Sequence, residues 1–309
     1  MMTLQYILCT AAGLLLCPLL PGIINKVKAF FAGRKGPSVF QLYFDIIKLW
    51  KKEAVYSSTT SWIFRAAPPV TLTAAAGALL LLGGPGTEDP FNFSGDLILF
   101  LYLCGLARIA TVLGAMDTGS SFEGMGASRE CEFAILSEGT VLAILCGMAV
   151  IHKSFCISAF WSVWDPLWAN HTLELILFAF AFFLVILTEN CRVPVDDPDT
   201  HLELTMIHEA MVLDNGGPGL AFIHYGASLK LWMLSTFLVS MLLPGCTAYA
   251  SPWIGLILQI AAIFCVAVLI GILESTTARY RFLKVPQMLL AAFAFSAAAL
   301  LLLIFQGVK

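Results

Sequence analysis

Residues 189–214 read ENCRVPVDDPDTHLELTMIHEAMVLD, and this stretch governs how the rest of the chain is understood. It holds seven carboxylates (Glu189, Asp196, Asp197, Asp199, Glu203, Glu209 and Asp214) together with Arg192, His201 and His208. An eighth acid, Glu174, lies one helix-length upstream. On either side the sequence is nearly continuous hydrocarbon: HTLELILFAFAFFLVILT at 171–188 and LAFIHYGASLKLWMLSTFLVSMLL at 220–243. A titratable cluster between two membrane-length apolar runs needs water or a partner to solvate it. A solvated loop is the simplest account, and the remainder of the chain decides whether it suffices.

Working outward, composition assigns the class. Of 309 residues, 59 % are hydrophobic and 12 % charged, and the mean hydropathy is +0.88. A soluble domain carries roughly 25 % charged residues, so the chain is expected to be an integral membrane protein. Spans need about 20 apolar residues. Eight windows qualify: 3–25, 66–84, 95–115, 134–152, 172–190, 219–243, 253–274 and 286–306. Pro18 and Pro21 are expected to kink the first, which is too long and too poorly bounded to read as a cleaved signal. The expected fold is therefore an all-α membrane bundle of about eight transmembrane helices forming one domain over 1–309.

Cation placement sets the orientation. Of seventeen Lys and Arg, eight lie between spans one and two, one between three and four, one between five and six, and three between seven and eight. Only Lys153 and Lys309 lie on the other side, while Arg108 and Lys230 fall inside spans. Basic loops stay cytoplasmic, so both termini are expected outside and the acidic loop in the cytoplasm. Within the first basic loop, SVFQLYFDIIKLWKKE at 38–53 puts Gln41, Asp45, Lys48 and Lys52 at helical spacing among apolar residues. That pattern suits an amphipathic helix lying at the membrane interface.

Several ionisable groups sit where hydrocarbon is expected. Arg108 near the middle of span three must face the protein interior, because a guanidinium at that depth costs at least ~2.5 kcal/mol without a partner or water. Lys230, halfway along span six, needs an anionic partner for the same reason. Glu138 lies about a turn inside span four; an intramembrane carboxylate marks a functional candidate, with a snorkelling helix-end residue as the competing reading. Residues 116–133, with Asp117, Glu123, Arg129, Glu130 and Glu132, read as a Gly/Ser-rich polar connector. Pro194 and Pro198 break any helix across 193–198, whereas 201–214 is helical in pattern. Glu274 is expected to pair with Arg279 and Arg281. Trp161, Trp164 and Trp168 read as an interfacial belt. The nine cysteines are scattered singly, without CxxC or Cys/His ligand spacing, so no metal or iron–sulfur cofactor is expected in this chain.

These residues resemble a known family. Arg34-Lys35-Gly36-Pro37, followed by Gln41, Asp45, Lys48, Leu49, Lys52 and Glu53, is similar to the first cytoplasmic loop of the quinone-site membrane subunit (subunit 1) of respiratory complex I. Arg129 with Ser137 and Glu138 resembles that family's fourth-span motif. Glu189, Arg192, Pro194, Asp196, Pro198, Asp199, Glu203 and Leu204 resemble its acidic loop without gaps. The stretches DTGSSFEGMGASRE at 117–130 and HLELTMIHEAMVLD at 201–214 look like the hydrogenase-4 / formate hydrogenlyase branch, the membrane-bound group 4 [NiFe] hydrogenases. Two departures from complex I stand out. His201 replaces the usual acidic-loop carboxylate, and the loop after Pro37 is shortened, which argues against a long quinone chamber.

The resemblance implies a membrane-anchoring, ion-translocation-coupling subunit of an oxidoreductase complex, itself carrying no redox centre. It implies a NiFe centre and iron–sulfur clusters in partners: hydrogenase large and small subunits, an iron–sulfur subunit and antiporter-like membrane subunits, all at a prokaryotic cytoplasmic (inner) membrane. A proton or ion relay would comprise Arg108, Glu138, Glu189, Arg192, Asp196, Asp199, His201, Glu203, His208, Glu209 and Lys230. A docking surface would comprise Arg34, Lys35, Asp45, Lys48, Lys51, Lys52 and Arg129. The alternatives are a quinone-site subunit of a complex-I-type NADH/quinone oxidoreductase and a purely structural anchor. A free-standing transporter is disfavoured because the halves show no inverted repeat.

Overall fold

The computed structural model describes residues 2–84, 90–161, 165–196, 206–242 and 252–307. These are helical with no strand among them, in the order α1 (Met2–Leu16), α2 (Leu19–Phe31), α3 (Gln41–Trp50), α4 (Trp62–Leu82), α5 (Asp96–Asp117), α6 (Ser121–His152), α7 (Asp165–Glu189), α8 (His208–Met211), α9 (Gly217–Leu242), α10 (Pro252–Thr276) and α11 (Val285–Gly307). Among the described residues, seven helices are long and apolar enough to cross a membrane; α1 and α2, bent by 49° at Cys17–Pro18, make an eighth if they form one span. The bend falls where Pro18 has no backbone N–H to continue the hydrogen-bond ladder. The chain is thus a multi-pass membrane protein.

α9 is the mast of the bundle, buried from Leu229 to Met241 with few interruptions. Around Phe237 the aromatic rings of Phe100 (6.1 Å), Phe160 (6.0 Å) and Phe182 (5.1 Å) pack in stacked, edge-on and tilted arrangements. Offset and edge-to-face packing of this kind adds about 0.5–1.5 kcal/mol per pair beyond area burial. This apolar half ties α5, α7 and α9 together. The polar groups collect at the opposite, basic end, where α2, α5, α7 and α10 finish and α4, α6, α9 and α11 begin.

α3 buries none of its residues completely. Phe44, Ile47 and Trp50 lie on its exposed side with Lys48, while Trp50 meets Phe222 of α9 edge-on at 5.3 Å. An exposed apolar face beside cations is what an interfacial helix presents to a bilayer surface.

Two sequence expectations are corrected here. Residues 121–133 do not form a connector; they are the first turns of the 32-residue helix α6. Gly126 is used by tertiary packing, since a side chain there would strike the Ile207 carbonyl and Ala210 and Met211 of α8, whereas Gly124 meets nothing within 4 Å. Glu123, buried there, accepts hydrogen bonds from the Thr118 hydroxyl and from the Asp214 backbone N–H at 3.1 Å. The helical pattern of 201–214 survives only as the single turn His208–Met211 among the described residues, 201–205 lying outside them. Trp164 is also outside them, and the side chains of Trp161 and Trp168 are not described.

The start of α9 depends on Gly217, whose φ of +54° is left-handed and whose missing Cβ would meet the Lys52 and Glu53 carbonyls. A non-glycine residue pays roughly 1–2 kcal/mol for that conformation alone. Gly217→Ala is therefore expected to lower the thermal-aggregation midpoint in mild detergent by about 3–8 °C. Gly216→Ala, where nothing lies within 4 Å, is the control and should leave it unchanged.

Candidate functional site: a buried ion network beside a cavity

Five charged side chains from four helices meet inside the basic half of the bundle. Arg108 of α5 donates through Nη1 to Glu138 of α6 and through Nη2 to Glu189 at the end of α7. Its Nε lies 3.5 Å from Glu130 Oε1, also on α6. Lys230 of α9 reaches Glu189 Oε2 at 2.7 Å, and the Ser137 hydroxyl donates to Glu189 Oε1 at 2.7 Å. Both intramembrane cations thus have anionic partners. Glu189 is the hub, held by two cations and a hydroxyl, with its side chain 9 % exposed. Glu138 differs: its side chain is 58 % exposed on the flank of the bundle, so it joins the interior network to the lateral surface.

Helix termination places the hub. The Cys191 N–H bonds the Thr188 carbonyl at 3.0 Å and the Arg192 N–H bonds the Leu187 carbonyl at 2.8 Å, with Cys191 at φ +48°. That is a Schellman cap with cysteine in the position usually taken by glycine. It makes Glu189 the last helical residue, facing inward, and turns Arg192 out of the network.

Arg192 instead approaches Glu274 of α10 at 3.6 Å, and Lys28 of α2 approaches the same carboxylate at 3.3 Å. The expected Glu274 pairing with Arg279 and Arg281 is corrected accordingly. Arg279 binds Asp196 at 2.6 Å, and Asp196 also accepts the Ile207 N–H at 2.9 Å. Tyr280 N–H bonds the Pro194 carbonyl at 2.9 Å. Asp196, 2 % exposed, and Arg192 therefore pin the segment after α7 to α10 and the residues that follow it. The cause is geometric: the chain direction after the Schellman cap crosses the end of α10 before it returns.

A cavity of about 80 Å³ opens beside the network, bounded by Arg108, Glu130, Glu189, Asn190, His208 and Lys230 with apolar residues of α4 and α9. That volume has room for a few waters. Burial pushes the His208 imidazole down to about 4, with Lys230 and His224 contributing in the same direction, so the ring is neutral near pH 7. Glu209, next to it on α8, is half-buried and does not line the cavity. Asp199, His201 and Glu203 lie outside the described residues.

Of the residues assigned to a docking surface, Arg34, Lys35, Lys48, Lys51 and Lys52 are exposed at the basic end. Asp45 is half-buried and accepts a hydrogen bond from Gln41 at 3.0 Å. Arg129 turns inward instead: it donates to the Met206 carbonyl at 3.0 Å and its guanidinium lies 5.1 Å from the Phe282 ring centroid. Sequence reasoning missed Glu130. The signal was present, since Glu130 precedes Ser137 by seven residues, two helical turns on one face, but it required α6 to be extended back through Gly124 and Gly126. Among the described residues no three His, Cys, Asp or Glu converge in a manner that would hold a metal ion.

The family model described as NADH dehydrogenase matches residues 4–305. The chain belongs to this family, that of NADH dehydrogenase subunit 1. Among its relatives, hydrogenase-4 component C of Escherichia coli (strain K12) is 31 % identical, covering 93 % of this chain and 91 % of that protein. Formate hydrogenlyase subunit 4 of the same strain is 32 % identical, covering 91 % and 92 %. An NADH-quinone oxidoreductase subunit of Anaplasma marginale (strain St. Maries) is 27 % identical over 58 % of this chain and 56 % of its own length. A chain of the membrane-bound sulfane sulfur reductase, an archaeal respiratory membrane complex, shares the fold with a TM-score of 0.83, at 19 % identity over 98 % of this chain and 99 % of that one.

Proposed function

We propose that this chain is the membrane-embedded coupling subunit of an energy-converting [NiFe] hydrogenase complex. In this reading it anchors a soluble hydrogenase arm at its basic, cytoplasmic end and links redox chemistry there to proton or sodium movement. The NiFe centre and iron–sulfur clusters belong to hydrogenase large and small subunits and an iron–sulfur subunit. Antiporter-like subunits sit laterally in the same inner membrane, and both termini face outside. Likeness to hydrogenase-4 component C and formate hydrogenlyase subunit 4 over nearly the whole chain supports this choice of complex.

The observation that carries the coupling reading is the chain of contacts Lys230–Glu189–Arg108–Glu138, which runs from beside the cavity to the lateral surface. Unit charges 4 Å apart interact by about 4 kcal/mol at an effective dielectric near 20. A charge gained or lost at one end therefore biases its neighbours along the set. Exposed Arg34, Lys35, Lys48, Lys51 and Lys52 form the docking face for the arm, and movement of the arm reaches the network through the pinned segment 190–196.

The test is Glu138→Gln in the assembled complex, with hydrogen evolution and the ion gradient measured separately. Hydrogen evolution is expected to stay within about twofold while the gradient falls at least about tenfold. A wild-type gradient in the assembled variant would sink the coupling reading and leave a structural anchor. The likeness to an NADH-quinone oxidoreductase subunit favours a second reading, a quinone-site subunit. Against it, the cavity of about 80 Å³ among the described residues is well below the roughly 300–1,000 Å³ of ligand pockets. Competition by added menaquinone or ubiquinone for turnover would favour it.

A further inference from the structure

Pro18 carries no N–H and α1 ends at Leu16, so carbonyls in the last turn of α1 lose their helical donors. At a break inside a membrane span such carbonyls need replacement donors. Two tyrosine hydroxyls supply them from different elements. Tyr225 of α9 donates to the Leu14 carbonyl at 2.7 Å, and Tyr43 of the interfacial helix α3 donates to the Leu15 carbonyl.

The two bonds are not equivalent. Tyr225 fixes the end of α1 to the central helix, whereas Tyr43 spans the break, because α3 is built onto its far side. The Val39 carbonyl, leading into α3, lies against Gly22 of α2 so closely that a Cβ there would sit 2.1 Å from it. A Cβ on Gly36 would lie 2.4 Å from that of Ala29 on α2, and Lys26 of α2 donates to the Lys35 carbonyl at 2.8 Å. α2, the turn after it and α3 thus form one unit, and the Tyr43 hydroxyl ties that unit back to α1 across the 49° bend. Beyond the bend α2 is fitted to α10: a Cβ on Gly271 would meet that of Val27 at 2.8 Å, and Lys28 reaches Glu274 at 3.3 Å. Glu274 also holds Arg192, in the segment that presents Glu189.

We propose that Tyr43 is a positioning residue for the buried network: bonded across the break in the first span, it sets the angle of α2, and α2 sets Arg192 and the segment 190–196 through Lys28 and Glu274. The same contacts connect the docking face to Glu189, since α3 carries Lys48 on its exposed side. A load on α3 turns α2 about Pro18 and shifts Lys28 against Glu274. This deepens the coupling reading and rests on it only for the source of the load, the docked arm.

The experiment is hydrogen exchange of the purified complex, read at the amides of Arg192 and Val195, which bond the Leu187 and Arg192 carbonyls at 2.8 and 2.9 Å. Tyr43→Phe removes one hydrogen bond and is expected to speed exchange at both amides by about 2–10-fold. Tyr225→Phe leaves the bond across the break in place, so it should loosen the end of α1 without changing those two amides. In a Lys28→Met background Tyr43→Phe should add nothing, because the connection to Glu274 is already cut. Unchanged exchange at Arg192 and Val195 in Tyr43→Phe overturns the proposal. So does an equal rise in Tyr225→Phe, or an effect that simply multiplies with that of Lys28→Met. The two readings fail separately: these exchange rates need no ion movement, so a complex found to build no ion gradient would lose the coupling function and keep this result.

Discussion

Arg108→Met is expected to abolish accumulation of the folded chain, or to leave it only in an aggregated form. Among the described residues the guanidinium, 9 % exposed, is the single group touching Glu130, Glu138 and Glu189 together. Among the described residues its removal leaves Lys230 as the remaining cation for Glu130 and Glu189 inside the bundle and strips Glu138 on the flank of its partner. Deleting one partner of a buried ion pair costs about 3–5 kcal/mol, of the order of the net stability of many domains. Arg108→Lys separates charge from shape. Lysine restores the positive charge but not the planar fork that binds two carboxylates at once, so this variant is expected to accumulate while losing the ion gradient. The two measurements are membrane-extracted yield and gradient formation. A normal yield for Arg108→Met would show that the network does not hold these helices together.

Glu274→Leu is expected to be the next most damaging change, lowering the thermal-aggregation midpoint by about 6–12 °C in mild detergent. The Glu274 side chain is 0 % exposed and sits between Lys28 and Arg192, at 3.3 and 3.6 Å. Both cations retain some water, with side-chain exposures of 23 and 12 %, which places the effect at the lower end of the buried-pair range. The loss should be felt at a distance. Arg192 belongs to the segment that presents Glu189, so protection of the 190–196 backbone from hydrogen exchange is expected to fall with it. Arg192→Met should cost less, because Lys28 still answers Glu274. An unchanged midpoint for Glu274→Leu would show that this pairing is incidental.

Much of the fold was readable because hydrocarbon imposes a simple rule. A chain that crosses a bilayer must satisfy its backbone within each helix and keep about 20 residues apolar, and both signatures are local in sequence. The windows at 95–115, 219–243, 253–274 and 286–306 accordingly fall on α5, α9, α10 and α11. The same logic shows that Arg108 and Lys230 must have partners. What failed was local propensity in polar stretches. Gly124 and Gly126 read as loop because glycine weakens an isolated helix, yet packing against α8 and the Asp214 hydrogen bond to Glu123 hold those turns helical.

The order of residues was enough to establish a multi-span helical membrane protein with ionisable groups inside its spans, because burial cost acts on each segment separately. The choice of which acid answers which cation came from packing in three dimensions: Arg108 with Glu130, Glu138 and Glu189, Lys230 with Glu189, Arg192 with Glu274 and Arg279 with Asp196. Pairing falls off with distance in space and ignores distance along the chain. Residues 81 positions apart, such as Arg108 and Glu189, become neighbours only because α5 and α7 both pack against α6.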